Sequence, residues 1–94
     1  MRIVWTKRAL SHIESIGAFL EERNPAAATR LLNAIRSSVE SLAQHPLRTR
    51  IGRSPRTREL VVGRTPYVVA YRVRGSDIQV LAVIHGAQRW PKRL

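Results

Sequence analysis

Cysteine is absent from the 94 residues of the sequence. The fold therefore has neither a disulfide nor a thiolate metal site to support its core, and the absence is typical of a reducing compartment. No apolar run approaches the roughly 18 residues that a transmembrane helix needs. The residues Met1 to Trp5 also lack the features of a secretory signal. We therefore expect a cytoplasmic protein that does not associate with membranes.

Acidic residues are scarce, with six Asp and Glu against seventeen Lys and Arg and a formal net charge of +11. Fifteen of the cations are arginine, whose planar guanidinium group matches phosphate and carboxylate geometry. Residues 1–44 carry six cations and four acids, whereas residues 45–94 carry eleven cations and two acids. This imbalance predicts that the second half binds a polyanion, which is either nucleic acid or an acidic protein.

A length of 94 residues suits one domain, spanning residues 1–94, with a single small core. Any catalytic or binding site must then lie on the surface of that fold. A core of this size gives a stability of about 5–10 kcal/mol, so a partner that covers exposed apolar surface would stabilise the protein appreciably.

Two consecutive amphipathic helices are predicted in the first half. Thr6 is a suitable N-cap for a helix that begins at Lys7, in which apolar residues recur every three or four positions. Asn24 and Pro25 end this helix and begin the next, because proline suits a first helical position. The second helix continues the apolar stripe to about Ala43.

The second half begins with an arginine-rich loop, residues 47–57, which shows no periodicity. Three runs rich in Val, Ile and Tyr follow and predict strands at Glu59 to Val62, Tyr67 to Val73 and Ile78 to Ile84. Gly75-Ser76 suits a two-residue hairpin turn between the last two strands. A regular hairpin places Arg72 and His85 on one face and predicts the pairs Val73–Ile78, Tyr71–Val80, Val69–Ala82 and Tyr67–Ile84.

A short β-prone run, Arg2 to Trp5, precedes the helices and is expected at the edge of the sheet. The order β-α-α-β-β-β favours an α+β fold. In this fold an antiparallel sheet of three to four strands packs against an N-terminal helical hairpin.

Four segments together resemble the RelE/ParE family of bacterial toxins. They span nearly the whole chain and are Asn24 to Ala28, Thr57 to Val62, Pro66 to Val73 and Val80 to Pro91. The resemblance implies the toxin component of a type II toxin–antitoxin system. It also implies a cognate antitoxin, often a DNA-binding protein whose extended tail wraps the toxin.

The resemblance leaves two cellular targets open. Members similar to RelE cleave messenger RNA in the ribosomal A site, whereas members similar to ParE poison DNA gyrase and are not nucleases. RNA cleavage needs a base for the 2′-hydroxyl, cations around the phosphate and an acid for the leaving oxygen. Histidine is the side chain type that changes charge near neutral pH, which makes His85 the acid–base candidate. The candidate phosphate-binding residues are Arg58, Arg72 and Arg89.

Arg58 ranks first among these arginines, because its position resembles that of a catalytic arginine in RelE-like nucleases. Each candidate also has a structural alternative. Arg58 suits a solvated position at the strand end or an ion pair with Glu59 or Asp77, and His85 suits a capping or packing role at the rim of the sheet.

Departures from the nuclease pattern favour gyrase as the cellular target over messenger RNA. RelE-like nucleases tend to carry lysines or a glutamate before the second strand and a tyrosine or histidine in the tail. This sequence has arginines and Trp90 there, and arginine is a poor general base because it stays protonated. We predict a ParE-like gyrase inhibitor, which is not an enzyme. A RelE-like ribosome-dependent mRNA endoribonuclease is the alternative, and a non-toxic nucleic-acid or antitoxin-binding module is a further one.

The arginine-rich loop and the C-terminal tail form the expected contact surface for the target, because Trp90 adds a ring that can stack beside cations. The predicted target-binding or nucleic-acid-binding residues are Arg48, Arg50, Arg53, Arg56, Arg64, Trp90, Lys92 and Arg93. His12 and His45 lack further ligands at metal spacing, so we expect no metal or cofactor.

Overall fold

The computed structural model describes residues 1–91 and 93–94, and it has the predicted α+β fold. Two helices pack on one face of a five-stranded sheet, in which the strand order is β1-β5-β4-β3-β2. The elements in chain order are β1 (Arg2–Trp5), α1 (Lys7–Glu21), α2 (Pro25–Ser41), β2 (Arg50–Ile51), β3 (Arg58–Val61), β4 (Tyr67–Arg74) and β5 (Asp77–His85).

The helices begin where their caps predict. The Thr6 hydroxyl accepts a hydrogen bond from the backbone N–H of Ala9 at 3.2 Å, and Asn24 Oδ1 accepts one from the backbone N–H of Ala27 at 3.1 Å. Each cap satisfies a donor that the first helical turn leaves without a partner. The second helix ends at Ser41, two residues before the expected end.

The sheet contains one strand more than the upper limit of the prediction. Strand β2 lies inside the arginine-rich loop and pairs antiparallel with β3, with Arg50 opposite Glu59 and Ile51 opposite Arg58. At two residues it is too short to show a sequence period. Strand β1 lies at the other edge, as predicted, and pairs in parallel with β5.

A β-bulge changes the predicted register of the β4–β5 hairpin. Tyr71 pairs with Val80, but Ala70 pairs with Ala82, so Leu81 is an extra residue in β5. The expected pairs Val69–Ala82 and Tyr67–Ile84 are therefore wrong, because Val69 pairs with Val83 and Tyr67 with His85. Since an extra residue shifts the alternation by one, every side chain of β5 after Leu81 lies on the face opposite to the expected one.

The two faces of the sheet carry separate apolar clusters. On the helix-facing side, Ile35 and Val39 of α2 pack with Val69, Val80 and Val83. On the opposite side, which we call the outer face, Ala70, Ala82 and Ile84 form a second cluster. Trp90 and Leu94 of the C-terminal tail, residues 86–94, pack against this second cluster. The tail therefore covers part of the outer face.

Helix α1 caps the edge of β5 beyond the end of β1. The Thr6 hydroxyl donates to the carbonyl oxygen of Val80 at 2.9 Å, and His12 Nδ1 accepts from the backbone N–H of Val83 at 3.1 Å. The His12 side chain thus satisfies a backbone donor of β5 beyond the last residue that pairs with β1. Within the described residues, no helix is long and apolar enough to cross a membrane.

Candidate target-binding surface

The arginine-rich loop has a compact turn at its centre. The backbone N–H of Gly52 donates to the carbonyl oxygen of Thr57 at 2.8 Å, and the Thr57 hydroxyl donates to the carbonyl oxygen of Ser54 at 2.7 Å. A Cβ atom at Gly52 would lie 2.1 Å from Thr57 Oγ1, so only glycine fits there. The turn places Arg53 and Arg56 at the surface.

A single carboxylate organises two of the loop arginines. Glu59 Oε1 accepts from Arg50 Nη2 at 2.9 Å, and Glu59 Oε2 accepts from the backbone N–H of Arg53 at 2.8 Å and from its Nε at 3.1 Å. The Glu59 side chain is only 3% exposed, whereas both arginines are about half exposed. Burial alone raises the pKa of Glu59, but the hydrogen bonds and charge of the arginines outweigh burial and hold that pKa below its usual value.

Trp90 connects the tail to the same loop. The guanidinium carbon of Arg53 lies 3.7 Å from the centroid of the Trp90 ring, which is a cation–π contact. The indole also packs against the apolar cluster of the outer face. Three of the predicted target-binding residues, Arg50, Arg53 and Trp90, are therefore connected on that face through Glu59 and the cation–π contact.

Arg58, the leading catalytic candidate, contacts protein backbone. Its Nη1 donates to the carbonyl oxygens of Thr49 at 2.8 Å and Leu47 at 3.2 Å. Arg58 pairs with Tyr71 in the sheet, so both side chains lie on the helix-facing side. The Tyr71 hydroxyl also contacts this segment, at 2.6 Å from the carbonyl oxygen of Pro46. Arg58 thus fastens the start of the loop to the sheet, and neither Glu59 nor Asp77 is the partner found for it.

His85 lies at the end of β5, on the helix-facing side. Its ring meets Tyr67 edge to face, with centroids 5.6 Å apart, and Nδ1 accepts from the backbone N–H of Ala87 at 3.1 Å. The register separates it from Arg58 by four residues along β4 and by two strands across the sheet. That corresponds to about 13 Å along and about 10 Å across, so the two side chains do not converge.

The other two catalytic candidates lie elsewhere. Arg72 is on the outer face, where its Nε donates to Gln79 Oε1 at 2.6 Å, and Arg89 is exposed in the tail. The bulge places His85 on the opposite face from Arg72, contrary to the expected arrangement. His85 therefore converges neither with Arg58, which is distant along the sheet, nor with Arg72, which lies on the opposite face.

The remaining predicted contact residues are spread along the surface. Arg48, Arg56 and Arg64 are exposed, and Arg56 and Arg64 have left-handed backbone conformations, with φ of 61° and 62°. The carbonyl oxygen of Arg93 accepts from Arg8 Nη1 at 3.2 Å, which ties the end of the tail to α1. Lys92 lies outside the described residues.

The charge of the second half is largely uncompensated. Its two acids are already paired, Glu59 with the loop arginines and Asp77 with Arg2. Among the residues that the structure describes, no group of three or more His, Asp or Glu side chains is arranged to hold a metal ion. The site offers positive charge, hydrogen-bond donors and a stacked indole, which suit an anionic partner.

An apolar groove lies on a different side of the molecule, between α1, α2 and β1. Its volume is about 600 Å³, and its wall includes the side chains of Trp5, Leu10, Leu32 and Val39. Arg36 and Glu40 stand at the same groove. Sequence periodicity placed Leu10, Leu32 and Val39 on the helices but did not show that the helices leave a groove open beside β1.

The fold and these surfaces define a small basic α+β protein with an arginine-rich face and an apolar groove. A family model described as the ParE toxin of the type II toxin–antitoxin system parDE matches residues 3–90. The chain therefore belongs to the RelE/ParE family, and it is the toxin component of a type II toxin–antitoxin system with a cognate antitoxin as partner. The predicted family is thereby confirmed.

Several known proteins are similar to this chain over nearly its full length. A Sinorhizobium fredii protein named toxin Y4kP is 43% identical over 93 residues, which cover 99% of this chain and 96% of that protein. Toxin RelE2 of Caulobacter vibrioides is 33% identical over 87 residues, covering 93% and 97%. A solved structure of the chromosomal ParDE system from P. aeruginosa matches with a TM-score of 0.83 and 26% identity, covering 90% of this chain and 95% of that one.

Proposed function

We propose that this toxin inhibits DNA gyrase and does not cleave RNA. The observation that supports this choice is the position of His85, which lies on the face opposite to Arg72 and is separated from Arg58 by four residues along β4 and two strands across the sheet. An RNA-cleaving site needs its acid–base residue and its cations around the same phosphate. In addition, His85 Nδ1 and the Arg58 guanidinium already bind backbone groups.

The proposed gyrase-binding surface is the arginine-rich loop together with the tail. Its residues are those predicted from the sequence: Arg48, Arg50, Arg53, Arg56, Arg64, Trp90, Lys92 and Arg93. The loop and tail offer charge and a stacked ring without a converging acid–base group, which suits binding to an acidic protein surface or a protein–DNA complex.

Two assays run in parallel test the proposal. The purified toxin should inhibit gyrase supercoiling and should leave full-length message intact on translating ribosomes. Cleaved message with unaffected supercoiling would instead support the RelE-like function that the name of the Caulobacter relative suggests. Normal growth on expression without the antitoxin would contradict both and favour the non-toxic binding module.

Variants at Arg58 and His85 separate the two mechanisms further. In a nuclease, Arg58→Ala should reduce cleavage by about two to three orders of magnitude through the loss of one phosphate contact. His85→Gln should reduce it by about 10²–10⁴-fold. For a gyrase inhibitor neither variant should affect message cleavage, and folded His85→Gln should keep full toxicity. Arg58→Ala loosens the start of the proposed binding loop, so its effect is judged by cleavage and not by toxicity. Folding is checked by thermal melting and antitoxin binding.

We further propose that the antitoxin places apolar residues in the groove between the helices and β1 and acidic residues along the arginine-rich face. The apolar wall and the uncompensated charge supply both kinds of contact. Affinity should therefore weaken as ionic strength rises, because salt screens exposed charges. Affinity and dissociation rate that stay constant over a several-fold rise in salt would show that charge does not hold the pair together.

A further inference from the structure

One buried carboxylate connects the arginine-rich loop to the C-terminal tail. Glu59 binds Arg53 through both the backbone N–H and the guanidinium, and Arg53 in turn covers the ring of Trp90. The chain of contacts therefore runs from the sheet through the loop to the tail. Each of the three residues comes from a different segment.

Arg53 can make both contacts at once because of the shape of its guanidinium group. The N–H groups donate in the plane of the group, whereas an aromatic ring stacks on its face. Arg53 Nε lies 3.1 Å from Glu59 Oε2, and the guanidinium carbon lies 3.7 Å from the Trp90 centroid. The carboxylate thus fixes the orientation of the plane on which the indole stacks.

The strand residues that pack against the Trp90 ring lie in register with Glu59. Glu59 pairs with Ala70, which pairs with Ala82 on the next strand, so the carboxylate and the two small side chains form one row across the outer face. Both alanines are fully buried and pack with Trp90. Trp90 Nε1 is buried and has no hydrogen-bond partner among the described residues. The contacts of the Trp90 ring with Arg53, Ala70 and Ala82 therefore hold the tail at this point.

We propose that Glu59 is a positioning residue that holds the tail on the outer face through Arg53, so that the loop and the tail act as one target-binding surface. The first part of this proposal, that Glu59 holds the tail through Arg53, concerns the toxin alone and can be tested without any target. The second part, that the loop and the tail act as one target-binding surface, rests on the proposed function, because that function assigns both segments to target binding.

The emission of Trp90 tests the first part. All proteins carry Trp5→Phe, so that Trp90 is the only tryptophan, and far-UV circular dichroism checks folding. Glu59→Gln and Arg53→Gln should each shift the emission to longer wavelength and increase acrylamide quenching, because the indole becomes exposed to water. Glu59→Asp keeps the carboxylate and should show a smaller shift than Glu59→Gln.

Asp77→Asn is the matched control. It removes one negative charge from another carboxylate that binds an arginine, Arg2, through two hydrogen bonds of 3.1 and 2.9 Å. Asp77 lies at the β1–β5 side of the sheet. Its variant should leave Trp90 emission, quenching and toxicity unchanged, so a shift in this control would mean that any loss of negative charge releases the tail.

The outcomes separate the two parts. Unchanged Trp90 emission in folded Glu59→Gln and Arg53→Gln proteins would overturn the positioning role. Arg53 is about half exposed, so Arg53→Gln decides the question if Glu59→Gln does not fold. A released tail with undiminished growth arrest would overturn the single target-binding surface. Failure of the unsubstituted toxin to inhibit gyrase would refute the proposed target, while the emission data would still decide whether Glu59 holds the tail.

Discussion

His12 provides the sharpest test of how the sheet is held at its exposed edge. Its Nδ1 accepts from the backbone N–H of Val83 at 3.1 Å, and this contact requires the neutral ring, since a protonated histidine has only donors. Burial is the main cause that lowers the pKa of His12 below its usual value, and the positive charge of Arg8 lowers it further. The folded state therefore favours neutral His12, and acid opposes the fold at this position.

The magnitude follows from the hydrogen bond. Leaving a buried N–H without its acceptor costs about 1–3 kcal/mol, and about 1 kcal/mol shifts the Tm of a domain of this size by about 4–8 °C. Because the folded pKa lies below the unfolded one, the stabilisation from His12 is complete above about pH 6.5 and is lost as the pH falls through that value towards the folded pKa. His12→Ala should lower the Tm already at pH 8.

His12→Asn is the control for the pH effect. Its Oδ1 occupies nearly the position of Nδ1 and accepts the same hydrogen bond without titrating. The Tm of the unsubstituted protein should therefore fall more steeply between pH 8 and pH 5 than that of the variant. His45 and His85 are present in both proteins, so the difference between the two profiles reports His12. Superimposable pH profiles would refute the reasoning.

Two further predictions concern the arginine-rich loop and the residues that follow it. Gly52→Ala should destabilise the protein by about 1–3 kcal/mol, because the new Cβ would overlap Thr57. Gly63→Ala, where no atom lies within 4 Å of the added Cβ, should be neutral or slightly stabilising, with both variants compared by urea denaturation. The pKa of Glu59 is lowered in the folded protein, so ionised Glu59 stabilises the fold. This contribution is present above about pH 4.3 and is lost as the pH falls through the folded pKa. Unfolding free energy should therefore fall less between pH 5 and pH 3 in Glu59→Gln than in the unsubstituted protein, and equal losses would contradict the assigned role of the carboxylate.

The helices could be predicted closely because their signals are local. A cap such as Thr6 or Asn24 acts on a backbone N–H three residues away, and the apolar period of 3.6 lies within each helix. The edge position of β1 also followed from the element order. The start and apolar face of each helix do not depend on a partner far away in the sequence.

The role of each arginine could not be predicted in the same way, because it depends on tertiary partners. Arg50, Arg53 and Arg58 lie within nine residues of one another and have the same chemistry, yet two bind Glu59 and the third binds loop carbonyls. One signal was present in the sequence. Glu59 is the only acid between Glu40 and Asp77, and a lone acid among arginines marks the residue around which they are expected to gather.

The placement of His85 depends on one residue that leaves no periodic signal. Residues 80–84 are all apolar, and their side chains are buried on both faces of the sheet. Alternation therefore cannot show where the register shifts. A regular ladder would put His85 on the outer face with Arg72, whereas the bulge at Leu81 turns it towards Tyr67. The sequence contains the residue types of an RNA-cleaving site, but one inserted residue in β5 places the histidine and the outer-face arginines on opposite sides of the sheet.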